Sequence, residues 1–300
     1  MLKEPIRIGS KTIKNRLVLP PMAPMNTTNP DGTVSEFQFD HYPAYAKNGN
    51  GLVIIEASAV SEMHEPRTTI GLFDDRFLPG LSKLAALTKI NDAVVLVQLI
   101  NTGLSIMEEA SIAEISHEKF LQYQADFVSA ALRVKKAGFD GIELHAAHGF
   151  YLNTVVENSE RTDEYGGNLE NRLRYVTEII ENIRKVCGKD FIIGIRMGAR
   201  PDANESIAIA KAYEKAGADV IHVSFGCDRN LTKPEDFAFD ARIYAAKCIK
   251  EQLTVPVICV GGIKTRDHIE EILESGYADL CAVGTAQLAD KEWALRALQD

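Results

Sequence analysis

His145 and His148 stand three residues apart in "GIELHAAHGF", where an apolar run gives way to a polar, glycine-bearing loop. Imidazoles so placed can ligate a metal, act as general acid and base, or, when neutral, donate hydrogen bonds toward a substrate oxygen. A metal site needs further ligands, and His41, His64, His117, His222 and His268 lie elsewhere, only His222 in a strand-like run. Arg196 in "GIRMG" is a second candidate. A guanidinium among apolar neighbours needs an anion or several acceptors, so it meets either a ligand or an inward acid such as Glu143. Gly261-Gly262 and Gly284-Thr285 form a third group. Glycine lets backbone N–H groups approach a phosphate closely, although paired glycines also serve as plain turns.

These residues need elements to position them. Eight short apolar, β-branched runs recur along the chain: "LVLPPM" from Leu17, "LVIIEAS" from Leu52, "AVVLVQL" from Ala93, "GIELHAA" from Gly141, "FIIGIRMG" from Phe191, "VIHVSFG" from Val220, "VPVICVGG" from Val255 and "LCAVGTA" from Leu280. Near-continuous apolarity suits strands buried on both faces of a parallel sheet. Helical patterns such as "QADFVSAALRVKKAGFDG" and "IAIAKAYEKAGADV" alternate with them, each closing on Ala-Gly as a glycine cap would. The alternation predicts an α/β fold, a (β/α)8 TIM barrel formed by residues 1–300 as one domain; a doubly wound open sheet is the other arrangement the pattern allows. "PIRIGSKTIKN" reads as a hairpin across Gly9-Ser10 that closes the barrel floor.

In such a barrel, chemistry sits where strands end. "PPMAP", Glu56-Ala57, Gln98, His145 with His148, Arg196, Ser224, Gly261-Gly262 and Gly284-Thr285 all fall at those ends. Strand alternation adds direction. Ile193, Ile195 and Met197 should face the helices, sending Arg196 inward; the same parity turns Gln98, Glu143 and His145 inward.

Composition narrows the partners. Lys+Arg at 33 against Asp+Glu at 42 leaves a net charge of -9, which disfavours nucleic acid and anionic membranes. No run approaches the roughly 18 apolar residues of a membrane span, and the charged start lacks a signal peptide's apolar core. The five cysteines show no C-x-x-C spacing and read as reduced, mostly buried thiols of a cytoplasmic protein.

"NRLVLPPMAPM", "VVLVQLINTG", "AGFDGIELHAAHGF", "RTDEYGGNLENR", "GIRM", "VICVGGI" and "AVGTAQLA" occur in this order, and the chain resembles the Old Yellow Enzyme family of FMN-dependent ene-reductases and NAD(P)H:flavin oxidoreductases from residue 15 to about 288. The resemblance implies FMN across the barrel mouth. Pro20, Pro21, Met22, Ala23 and Ala57 would line its ring, Gln98 would bond the pyrimidine edge, and Arg196 would stabilise negative charge near N1 and O2. Gly261, Gly262, Gly284 and Thr285 would hold the phosphate. His145 and His148 would hydrogen-bond the carbonyl oxygen of a small α,β-unsaturated substrate, making its β-carbon a better hydride acceptor. No G-x-G-x-x-G follows a strand, so NAD(P)H would visit transiently, with ping-pong kinetics. "RTDEYGGNLENR" reads as scaffold, with Asn168 as a helix N-cap and Arg161 and Asp163 tying down the loop.

Four positions depart from the family pattern. Phe150 stands where many members carry a proton-donating tyrosine; Tyr151 follows it and is the candidate donor if re-aimed, or a surface aromatic if not. Asn101, Ala23 and Thr285 replace a histidine, a threonine or cysteine, and an arginine. These departures open alternatives: an NAD(P)H:acceptor oxidoreductase serving quinones, dyes or oxygen, or a flavin-binding protein with little turnover. A non-redox barrel lyase is a fourth reading, disfavoured because no strand segment holds a lysine. The cysteine-rich cluster segment of larger relatives is not recognisable, so the expectation is a compact member or a shortened chain. Substrate choice would lie in the loops 63–80 and 104–118.

Overall fold

The computed structural model describes residues 1–22, 27–62, 69–101 and 111–299. Eight parallel strands close into a barrel in sequence order: β3 (Leu17–Leu19), β4 (Leu52–Ala59), β5 (Val94–Ile100), β6 (Gly141–Ala146), β7 (Ile192–Ala199), β8 (Val220–Phe225), β9 (Val257–Val260) and β10 (Leu280–Ala282), with β10 returning to β3. Closure excludes the open doubly wound sheet. The preceding hairpin, β1 (Ile6–Ile8) and β2 (Lys11–Ile13), pairs antiparallel, and Gly9 takes the positive φ of 53° that its turn requires.

Helices α1 (Glu36–Lys47), α2 (Leu78–Thr88), α3 (His117–Lys136), α4 (Tyr151–Glu157), α5 (Leu169–Cys187), α6 (Ala203–Ala216), α7 (Ala241–Lys250), α8 (Arg266–Glu274), α9 (Thr285–Ala289) and α10 (Trp293–Ala297) fill the connections. Their ends follow local chemistry. Ser116 Oγ accepts from Lys119 N to start α3, Asn168 Oδ1 accepts from Asn171 N to start α5, and α6 stops at Gly217 in the left-handed region. On α5, Leu173, Val176, Ile179, Ile180 and Ile183 recur at helical spacing and are buried toward the barrel.

Two apolar cores result. The larger lies between strands and helices. The smaller fills the barrel interior with Val18, Leu52, Ile54, Leu96, Ile192, Val220, Ile258, Leu280 and Ala282, and Ile8 and Ile13 of the hairpin join it from below. The hairpin therefore seals the floor, as its sequence predicts. Three aspartates just before alternate strands tie that end together: Asp140 accepts from Val95 N at 3.0 Å, Asp219 from Ile193 N at 2.8 Å and Asp279 from Val257 N at 2.9 Å. Each carboxylate supplies an acceptor to a neighbouring strand's backbone donor. Among the described residues no helix is long and apolar enough to cross a membrane, and Cys187, Cys259 and Cys281 are buried while Cys227 is exposed.

Candidate active site

Above the apolar layers the barrel interior turns polar in register. Gln98, Glu143 and Gly194 share one row across β5, β6 and β7, and His145, Arg196 and His222 form the next across β6, β7 and β8. The inward parity expected for Gln98, Glu143, His145 and Arg196 is what the register produces.

Glu143 does not pair with Arg196. Its Oε1 accepts from Gln98 Nε2 at 2.7 Å and its Oε2 lies 2.8 Å from His222 Nδ1. Both oxygens are engaged, and Arg196 Nε is left buried without a partner among the described residues. Burial lowers the pKa of Arg196 while the Glu143 charge opposes the shift. A lone buried cation of this kind favours an anionic or electron-rich ligand.

The two histidines meet at the mouth with ring centroids 5.1 Å apart and planes at 79°. His145 Nδ1 accepts from Ala147 N at 3.4 Å, which leaves the proton on Nε2. His148 adopts φ 63°, its N–H bonds Phe225 O at 2.9 Å, and its Nε2 lies 2.7 Å from Ser224 Oγ. Burial, reinforced by the Arg196 charge, holds the pKa of His145 well below its usual value and that of His148 at about 3. Both rings are therefore neutral at physiological pH. Among the described residues the one group with metal-ligand spacing is His117, Asp163 and Glu164, remote in sequence from these histidines, with His117 and Glu164 exposed.

Tyr151 is not brought to this cluster. Its hydroxyl lies 2.9 Å from that of Tyr175 on α5, which itself donates to Phe120 O at 2.8 Å, and the Tyr151 ring packs among Phe120, Tyr123 and Phe127 of α3. With 3% exposure it is neither a donor re-aimed into the mouth nor a surface aromatic. Opening α4, it turns into the helix layer because an aromatic pocket with a hydroxyl partner receives it there. Phe150 instead packs on His145, centroids 4.6 Å apart.

The rim residues assemble from neighbouring strand ends. A Cβ on Gly284 would lie 3.1 Å from Met22 Sδ and 3.5 Å from Pro20 Cγ, so the residues after β3 pack against the turn after β10. Pro20 and Pro21 are buried, Met22 and Ala57 half-buried, Thr285 exposed; Ala23 lies outside the described residues, as do 63–68 and 104–110 in the two substrate loops. Gly261 and Gly262 follow β9 with φ 137° and 62°. One neighbour escaped sequence reasoning. Arg242 Nε sits 3.0 Å from where a Cβ on Gly261 would lie, held by Asp240 at 2.8 and 2.9 Å and stacked 4.4 Å from the Phe225 ring centroid. The Asp-x-Arg at the start of α7, with Asp240 as N-cap, was the available signal.

Glu56, at the end of β4, is a second group that sequence alone did not single out for its titration. A register shift between Ile55 and Ser58 interrupts the strand there, Oε1 accepts from Gln38 Nε2 at 3.1 Å, and Oε2 is buried without a partner among the described residues. Burial raises its pKa from 4.5 to about 7. The folded state therefore binds this proton more tightly than the unfolded chain, and stability present below about pH 4.5 declines as pH rises through about 7. Urea unfolding of the native protein should lose about 3 kcal/mol at most between pH 5 and pH 8 that Glu56→Gln retains. Parallel pH profiles for the two proteins would contradict this.

A closed β/α barrel with paired neutral imidazoles at its mouth, beside a buried arginine whose Nε has no partner among the described residues, defines a β/α barrel with a candidate active site at the ends of its strands. The chain belongs to the NADH:flavin oxidoreductase / NADH oxidase family, the Old Yellow Enzyme group, whose model matches residues 1–114 and 106–300. FMN is that family's cofactor, and the orphaned Arg196 Nε and the glycine rim beside Arg242 fit the negative charge that its reduced ring carries and its phosphate. The chain is 35% identical to an NADH oxidase of Thermoanaerobacter brockii over 97% of its own length but only 50% of that protein's, so it spans about half of this relative. It is 33% identical to an NADPH dehydrogenase of Bacillus subtilis (strain 168), covering 95% of this chain and 90% of that one. Among solved structures, morphinone reductase superposes with a TM-score of 0.82 at 20% identity, covering 99% of this chain and 88% of that one, a likeness of fold.

Proposed function

We propose that the protein is an FMN-dependent oxidoreductase that takes hydride from NADPH or NADH and reduces the activated C=C bond of small α,β-unsaturated carbonyl compounds. The observation that carries this reading is the pair of neutral imidazoles, His145 and His148, beside the buried Arg196, whose Nε has no partner among the described residues. FMN, when bound, supplies the redox chemistry, accepting hydride from the nicotinamide and delivering it to the substrate in alternating, ping-pong half-reactions.

The chain's own residues bind and polarise. His145 donates from Nε2–H to the substrate carbonyl and His148 supports it from the turn that follows the same strand, so negative charge developing on that oxygen meets preorganised donors. Arg196 and Gln98 would bond the pyrimidine edge of the ring, and Pro20, Pro21, Met22 and Ala57 would line it. Gly261, Gly262, Gly284 and Thr285 receive the phosphate, with Arg242 restoring a guanidinium that Thr285 lacks. Phe150 has no proton to give and Tyr151 is committed to Tyr175, so water supplies the proton that the substrate α-carbon takes up.

The same two side chains favour a second reading, an NAD(P)H:acceptor oxidoreductase for quinones or dyes that need no placed acid. One experiment separates them. FMN-loaded protein is followed by visible absorbance without oxygen while NADPH or NADH and then cyclohexenone are added. Bleaching followed by recovery with the enone is the expected result. Recovery with a quinone alone would transfer the assignment to the second reading, and absence of bound flavin would sink both.

A further inference from the structure

His222 has no part in the scheme above, yet it is buried at 0% exposure in the same row as Arg196 and His145. Its Nδ1 lies 2.8 Å from Glu143 Oε2. A carboxylate accepts, so the ring proton resides on Nδ1 and Nε2 presents a lone pair. That Nε2 is buried with no partner among the described residues. Burial, opposed by Glu143 and aided by Arg196, keeps the ring neutral. A buried acceptor is costly to leave unmet, which points to a donor that the described residues do not provide.

The topology indicates what that donor is. β8 lies between β7, which carries Arg196, and β9, which ends at Val260 just before Gly261 and Gly262. Arg196 marks the ring end of the cofactor site and the glycines its phosphate end. In FMN the segment between ring and phosphate is the ribityl chain, a row of hydroxyl donors. We infer that His222 is a cofactor-binding residue whose Nε2 accepts a hydrogen bond from a ribityl hydroxyl, with Glu143 fixing the tautomer that makes it an acceptor. The inference rests on the FMN reading and adds a residue to it. The Gln98–Glu143–His222 chain thus links the pyrimidine edge to the sugar-like chain through one carboxylate.

The test uses protein labelled with nitrogen-15 histidine, loaded either with FMN or with lumiflavin, which has the ring but no ribityl chain. The Nε2 resonance of His222, assigned with His222→Gln, should sit at a hydrogen-bonded position with FMN and return to that of a bare lone pair with lumiflavin. His222→Leu should weaken FMN binding about five- to tenfold, read by flavin fluorescence, and leave lumiflavin unchanged. Should that variant fail to fold because Glu143 loses its partner, the resonance comparison on the unaltered chain decides alone. An identical Nε2 resonance with both flavins would overturn the inference while leaving FMN binding intact; failure of the wild type to take up FMN would overturn both.

Discussion

Replacing His145 with alanine is expected to lower kcat/KM for cyclohexenone by about 10²- to 10³-fold while the protein still carries FMN. The magnitude follows from geometry. His145 is 4% exposed, its proton is confined to Nε2 by the Ala147 N–H on Nδ1, and burial, reinforced by the Arg196 charge, disfavours its protonation. A donor already oriented in a dry site needs no reorganisation when charge develops on the substrate oxygen, and alanine leaves nothing in its place. His145 is the cleaner choice of the pair, because His148 Nε2 also engages Ser224 and its backbone holds a positive φ. Steady-state rates with NADPH saturating would measure the effect. Unchanged enone turnover in a flavin-loaded variant would remove His145 from the proposed scheme.

Phe120→Ala is expected to cost about 3–5 kcal/mol of folding stability, read from urea unfolding. Phe120 is fully buried, with ring centroids 4.0 Å from Tyr175, 5.4 Å from Tyr165 and 6.3 Å from Tyr151, and the Arg161 guanidinium lies 4.1 Å from its ring centroid. Removing this ring opens a cavity beneath four partners, and Arg161 is anchored elsewhere by Ile112 O and Ile115 O, so the pocket cannot collapse freely. The same cluster holds Tyr151 away from the mouth. A loss below about 1 kcal/mol would show that the pocket closes and that the aromatic packing is weakly constraining.

All eight barrel strands and the floor hairpin were legible because period and β-branching report burial on both faces of a strand. Strand parity was equally legible: it oriented Arg196, Gln98, Glu143 and His145 without any contact being known. Parity says which face a side chain occupies, not which partner it takes. From the sequence Glu143 was a candidate partner of Arg196, and only the assembled strands β6, β7 and β8 show the Glu143–His222 pair. Tyr151 was illegible for a related reason. Whether a residue opening a helix turns to the mouth or to the helix layer depends on a vacancy between α3 and α5, elements 15 or more residues away in the chain. Arg242 was missed since a pair at the start of a helix looks like ordinary capping until Gly261 is seen beside it.

The barrel interior is apolar from the hairpin upward and polar only in its upper rows. Cohesion and chemistry thus occupy different storeys of one molecule. Phe150, Asn101 and Thr285, three of the four departures from the family pattern, follow strand ends on the upper storey. A lineage carrying this scaffold can exchange residues there while the sealed storey beneath goes on holding the chain together, and so can try new substrates without first having to learn again how to fold.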